Sequence, residues 1–388
     1  MRTSGDGTRP MERNNTNKTT ATAAMLSFIY SFRPTPIPTP TPSQSMRPAL
    51  LFLALLVLSP LVTADESARR FLHKPDSWFA STEAKQVAAI ILSFQTDAGG
   101  WPKNTDTISK AYSGDRAKLQ PTFDNKATVD ELRFMARMVN ATQDATYRQS
   151  FDRGLAYVLT AQYPNGGWPQ FFPLRKGYFD HITFNDGAMV RVLQLMREVA
   201  TEKTYAFIDA KTRAACQQAF DRGIACILKC QIIVDGKPTV WCAQHDEKTF
   251  TPAKARSYEL PSFSGSESVG IVRLLMSLEK PSPEIRASIE GAIAWFEAHK
   301  VTGQRLETKK NLLGTQDLIM VSDAQAPALW ARFYDLKTGA PYVCDRDGIP
   351  KATLAEIGHE RRNGYSWFGE YARDLLATDY PKWKQAHR

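Results

Sequence analysis

"FDRGLAYVLTAQYPNGGWPQF" (residues 151–171) returns later in the chain as "FDRGIACILKCQIIVDGKPTVWCAQ" (residues 220–244). Both copies open with Phe-Asp-Arg-Gly, run on with apolar residues at helical spacing, and end in a loop that carries a Trp. An earlier copy is "VAAIILSFQTDAGGWPKN" (87–104), and a weaker one is "IEGAIAWFEAHKVTGQRLE" (289–307). Gly154 and Gly223 lie 69 residues apart, and Gly223 and Gly291 lie 68 apart. Self-similarity at a fixed period marks an array of like units.

Between these copies a second element recurs: "FDNKATVDELRFMARM" (123–138), "FNDGAMVRVLQLM" (184–196) and "FSGSESVGIVRLLM" (263–276). Met189, Val192, Leu193, Met196 and Val199 fall on one helical face, as do Ile271, Leu274, Leu275 and Leu278. One unit is therefore a helix, a Trp-bearing loop, a polar helix start and a second helix. A single pair cannot cover its own apolar faces, so successive pairs must pack on one another. The expected fold is mostly α, an α/α toroid-like array of helix pairs with small β-hairpin elements. Its loops would gather at one end around a substrate cleft. "IIVDG" (232–236) and "PTVWCA" (238–243) are the predicted hairpin.

Asp124, Asn125, Asn185 and Asp186 stand at equivalent helix starts, where the third copy has Ser264 and Ser266. Two readings are open. Asp, Asn and Ser cap helix N-termini by accepting backbone N–H bonds. Alternatively, two acids brought to a common mouth hold a hard cation or a substrate through their oxygens.

The first 64 residues are of a different kind. Residues 1–45 hold Thr/Pro-rich runs such as "RPTPIPTPTPSQS" (33–45), which lack the apolar content to fold. They read as a low-complexity extension upstream of a true start at Met46. "MRPALLFLALLVLSPLVTADESA" (46–68) has a positive start, an apolar run and Val62-Thr63-Ala64 before the expected cleavage point. This is the pattern of a secretory signal peptide over residues 46–64, too short for a comfortable membrane span. Residues 65–388 are then one catalytic region, secreted to the periplasm or the extracellular space, with no stable membrane insertion after cleavage. The whole chain carries 49 Lys/Arg against 40 Asp/Glu, and removing residues 1–64 leaves a net charge of +5. A mildly basic exported protein suits a polyanionic polysaccharide. No basic tract or nucleic-acid motif argues for nucleic acid. A monomer is the default expectation. The five cysteines (Cys216, Cys226, Cys230, Cys242, Cys344) show no disulfide framework. Cys226 and Cys230, one helical turn apart, read as core.

Taken together, "GGWPKN" (99–104), "TFDNKAT" (122–128), "AQYPNGGWPQFFPL" (161–174), "ITFNDGAM" (182–189), "WCAQHD" (241–246), "ARSYELPS" (255–262), "RFYDLKTGAPYVCDRDG" (332–348) and "RRNGYSWFG" (361–369) resemble the polysaccharide lyase family 10 pectate lyases. The resemblance spans about residues 90 to 377. It implies a mostly helical, toroid-like fold with a substrate cleft, and cleavage of polygalacturonate by calcium-assisted anti β-elimination. By the same resemblance Asp124 and Asp186 form the Ca²⁺ site, Asn125 contacts substrate, and Arg256 is the base. Arg332 and Arg346 bind uronate, while Tyr258 and Lys254 flank the base.

The residues themselves support a different default for Arg256, a carboxylate clamp, because a guanidinium stays charged across the working pH range. For Arg332 and Arg346 the alternative is structural pairing with Asp335 or Asp347. Trp101 and Trp168 read as loop anchors in the core, and His181, His245 and His359 as structural hydrogen-bond formers. Neither HExxH nor paired CxxC spacing occurs, and "GYSWFG" is not a serine-hydrolase elbow. Two rival functions stand beside the lyase: an α/α-toroid glycoside hydrolase using Asp124 and Asp186 as its acid/base pair, and a non-catalytic uronan-binding protein.

Overall fold

The computed structural model describes residues 67–310 and 314–387. The chain divides into Met1–Ser59 and Pro60–Arg388. The predicted extension and signal peptide lie outside the described residues.

Seven helices carry the repeat: α1 (Thr82–Ser93), α2 (Val129–Thr142), α3 (Ala145–Thr160), α4 (Ala188–Thr201), α5 (Ala210–Cys230), α6 (Glu267–Met276) and α7 (Pro283–Ala298). The even-numbered three are buried over most of their surface, so they form the inner set. The odd-numbered ones bury a stripe, such as Phe151, Leu155 and Val158 on α3. This is the expected mostly-α, toroid-like array of helix pairs.

The outer helices start by local chemistry. Ser81 accepts from Ala84 N, Asp144 from Thr146 N, Asp209 from Thr212 N and Ser282 from Ile285 N. At the inner helices the N-cap residues Thr128, Gly187 and Ser266 accept no such bond. The polar residues just ahead of the inner helices are thus left for other work.

The repeat is held by the same contacts each time. Trp101, Trp168, Trp241 and Trp330 are buried, and each donates its indole N–H to a carbonyl of the preceding outer helix: Ile91 (2.8 Å), Val158 (2.9 Å), Ile227 (2.7 Å) and Phe296 (2.9 Å). Gln95, Gln162 and Gln231 each clamp their own loop to the next outer helix, donating to the carbonyls of Ser150, Ala219 and Ser288. Gly166 shows why this packing needs glycine. Its φ is +95°, and a Cβ there would lie 2.1 Å from the Arg222 carbonyl oxygen.

Each polar helix start is also laced to the loop of the next unit. Phe123 N donates to Gln170 O (3.1 Å), Phe184 N to Ala243 O (2.8 Å) and Gly265 N to Arg332 O (3.1 Å). Ile182–Thr183 pairs antiparallel with Gln244–His245. Ser262–Ser264 pairs with Phe333–Asp335, which continues through Pro341–Cys344 to Pro350–Lys351 as a four-stranded antiparallel sheet. Three starts are thereby fixed relative to one another.

Two expectations need adjusting. The predicted hairpin is shorter, pairing only Ile233–Val234 with Lys237–Pro238. After α7 the weak fourth copy does not continue as helix. Gln304–Lys310 pairs with Gln316–Ser322 instead, with Leu306, Leu318 and Met320 against the core, because "QRLETKK" alternates at period two. All five cysteines are free and buried, Cys226 and Cys230 among them. No described helix is long and apolar enough to cross a membrane.

Candidate active site

The segments ahead of α2 and α4 have the same backbone. Phe123 and Phe184 open a short 3-10 turn, and the residue in its middle turns left-handed: Asn125 at φ +50° and Asp186 at φ +49°. The equivalence is therefore Asp124 with Asn185, and Asn125 with Asp186, so the two acids sit one position out of step. Thr128 has φ +70°, an outlier for a β-branched residue. It is held there by Trp101 N donating to its Oγ1 (2.9 Å) and by its own bond to Thr122 O (2.9 Å). Backbone strain of this kind persists where the surroundings over-determine it, and it clusters at functional sites.

Asp124, Asn125, Asn185, Asp186 and Arg256 line one cavity of about 120 Å³, together with Lys103, Gln170, Tyr178, Gln244 and Glu259 among others. Asp124 is buried. Its Oδ2 accepts from Gln170 Nε2 (2.6 Å) and from Lys103 Nζ, and its Oδ1 accepts from Asn125 N (2.9 Å). Asn125 Nδ2 donates to Asn104 Oδ1 (2.7 Å). Asp186 is more open. Its Oδ2 accepts from Asn185 Nδ2 (2.8 Å) and its Oδ1 from Arg332 Nη2 (3.0 Å).

Arg332 lies in the wall behind Asp186. Its Nη2 also donates to Glu267 Oε1 (2.5 Å) and to Asn185 Oδ1 (3.3 Å), while its Nε is buried without a partner among the described residues. Burial works against its charge, but Glu267 outweighs that and holds the guanidinium protonated well above its usual range. Asp335 and Asp347 are not its partners. Arg346, at the surface, pairs with Glu360 (Nε to Oε2 3.1 Å, Nη2 to Oε1 3.0 Å), which Arg361 also grips. The two arginines hold the Glu360 carboxyl down at about 2. Arg346 does not line the cavity.

Arg256 donates twice to Glu259, from Nε (2.8 Å) and Nη2 (2.6 Å), and Tyr365 Oη donates to Glu259 Oε1 (2.6 Å). Burial opposes both charges. The bidentate bond wins, raising the guanidinium further and keeping Glu259 below the usual carboxylate range. Tyr258 is buried beneath this pair, with the guanidinium carbons of Arg256 at 5.2 Å and Arg361 at 4.7 Å from its ring. Tyr365 takes Arg332 on its ring at 4.8 Å.

The donor set fits a hard cation. The cavity offers carboxylate and amide oxygens, and Gln170 Oε1 and Gln244 Oε1 are buried with no partner among the described residues. A second cluster lies elsewhere, where ligand-type atoms of His181, Asp246 and Glu247 fall within 4.8 Å of one another. Asp246 is already a turn residue there, its Oδ1 accepting from Lys248 N, Thr249 N and Thr249 Oγ1. His245 is buried between Phe250 O and Cys242 N, and its pKa is pushed down to about 4 by burial. His359 bonds Gln316 O. These two are structural, as expected.

Several site residues were missed in the sequence. Lys103 and Gln170 occupy the same place in the two "GGWP" loops and both reach Asp124, so the repeat contained the signal. Glu259 stands three residues after Arg256 inside "ARSYELPS". Glu267 opens α6 and carried no acidic counterpart at its own position in the other copies.

The pectic acid lyase family model matches residues 95–376. Family 10 polysaccharide lyase from Cellvibrio cellulosa is 32% identical, with a TM-score of 0.70 over 84% of this chain and 98% of that one. A mutant of the Cellvibrio cellulosa enzyme in complex with trigalacturonic acid is likewise 32% identical, with a TM-score of 0.69 over 83% and 98%. No curated relative matches. The chain belongs to the pectic acid lyase family and is a polysaccharide lyase, an enzyme of the pectate lyase class.

Proposed function

We propose that this enzyme cleaves polygalacturonate by calcium-assisted anti β-elimination. The observation that carries the reading is the shared cavity: Asp124, Asp186 and Arg256, far apart in sequence, line the same small volume. Asp124 and Asp186 would hold the ion, with Asn125 beside them as a substrate contact. When bound, Ca²⁺ supplies positive charge to the uronate carboxylate next to the carbon that loses its proton.

The chain's own groups do the rest. Arg256 in its neutral form takes the C5 proton. The electron pair left behind forms the C4–C5 double bond, the C4–O bond breaks, and the departing oxygen takes a proton from water. Glu259 orients the Arg256 fork but favours its charged form, so the neutral form is a minor population. Arg361 and the bound cation raise that population by repulsion. Arg332 and Tyr258 frame the cavity from behind, and Arg346 lies farther out, placed to meet a neighbouring uronate of a long chain. Export through the signal at residues 46–64 fits a polymeric substrate outside the cell.

The experiment is polygalacturonate with the mature protein, with and without chelator, followed in the near ultraviolet. A lyase leaves an unsaturated uronide that absorbs there, and chelator suppresses it. Chain cleavage without new absorbance, indifferent to chelator, would establish a hydrolase. Binding without cleavage at any calcium level would establish a non-catalytic uronan-binding protein.

A further inference from the structure

Each of the two cavity acids already has a cation on it, and the two cations are held very differently. At Asp186 the cation is Arg332, whose side chain is 9% exposed and whose Nη2 also bonds the buried Glu267. If Asp186 turned to another cation, Arg332 would keep a carboxylate. At Asp124 the cation is Lys103, whose side chain is 26% exposed. Among the described residues, its contacts are this one carboxylate and the face of Phe171, 5.6 Å from the ring centre. Lys103 can leave through solvent, whereas Arg332 cannot.

The repeat sharpens the contrast. Gln170, at the matching place in the second loop, also donates to Asp124 Oδ2. A neutral amide can go on donating to a carboxylate that coordinates a metal. An ammonium on the same oxygen repels the metal at a few ångströms, where two like charges cost several kcal/mol at an effective dielectric of about 20.

Resting on the reading of Asp124 and Asp186 as a calcium site for a uronate chain, we propose that Lys103 is the resident cation that calcium displaces from Asp124, and that the freed ammonium takes a carboxylate of the bound sugar. Lys103 then makes the two ligands interdependent. Without sugar it competes with calcium. With sugar it has another carboxylate to hold, and the competition ends. Such coupling is reciprocal: the factor by which sugar tightens calcium binding equals the factor by which calcium tightens sugar binding.

The test is calorimetric titration of calcium into wild type, Lys103→Met, Lys103→Gln and Asp124→Asn, each with and without trigalacturonic acid. Lys103→Gln places in the first loop the residue the second loop already uses, so it keeps the fold and a bond to Asp124. In the absence of sugar both Lys103 variants are expected to bind calcium about tenfold more tightly than wild type, and trigalacturonic acid is expected to enhance their calcium affinity less. If they bind calcium no more tightly than wild type while Asp124→Asn loses binding, the proposal falls and the calcium site stands. If wild type and Asp124→Asn bind calcium equally in the presence of sugar, the calcium reading falls and takes the proposal with it.

Discussion

Arg256 and Glu259 are joined by two parallel hydrogen bonds, 2.8 and 2.6 Å long, and Glu259 is in turn fixed by Tyr365 Oη at 2.6 Å. This fork orients the guanidinium and strengthens its hold on its proton. Glu259→Gln is therefore expected to act in two directions. Loss of orientation lowers kcat by about 10- to 100-fold. Removal of the anion also lets the guanidinium release its proton more readily, so the alkaline rise in activity begins at lower pH. Steady-state kinetics across pH reads both, and Arg256→Ala is expected to abolish turnover with the circular dichroism spectrum unchanged.

Asp186 is the more open of the two cavity acids, with a side chain 40% exposed. Asp186→Ala is expected to keep the fold, abolish measurable turnover at ordinary calcium, and raise the calcium concentration that any residual activity needs. A calcium titration of activity, compared with wild type, checks it.

Arg332 and Arg346 looked alike in sequence and are opposites in the structure. Arg332→Ala leaves Glu267 buried without its counter-charge, and breaking a buried pair on one side costs about 3–5 kcal/mol. Arg346→Ala removes an exposed pair and is expected to leave the melting temperature where it was. Thermal melts of the two variants side by side give the answer.

Glu131, in the first turn of α2, is fully enclosed; burial and then the neighbouring Asp130 push its carboxyl up to about 8. Its Oε2 has no partner among the described residues. The folded state thus holds a proton that the unfolded chain gives up at its ordinary value of 4.5. Stability from this group is complete below that value and falls as pH rises toward about 8, by about 1.4 kcal/mol per pH unit for one proton. Glu131→Gln is expected to flatten this slope and to melt higher than wild type near pH 8. Equal pH slopes in the two proteins would refute it.

The helix-pair array was legible because its signals are local and repeated. The "FDRG" starts, the buried Trp of each loop and the 3.6-residue apolar stripes recur at a spacing near 69, and each means the same thing in every copy. The strand pairing after α7 was not legible, because a two-residue period of seven residues is a weak signal beside a helix repeat, and its partner lies beyond a loop.

Within the site, residue types could be read from sequence but their partners could not. Oxygen-bearing residues at the helix starts and arginines in long motifs were visible as chemistry. That the turns at Asp124 and Asn185 are in register, leaving the acids one step apart, depends on backbone angles that neighbouring loops impose. Arg332 and Arg346, 14 residues apart, differ because one faces Glu267 from α6 and the other faces Glu360 at the surface. A sequence determines which groups can ionise, donate or accept, since that is covalent chemistry. Which carboxylate a given cation meets, and whether water reaches the pair, is decided only when distant segments pack, because burial and distance set the strength of every charge interaction.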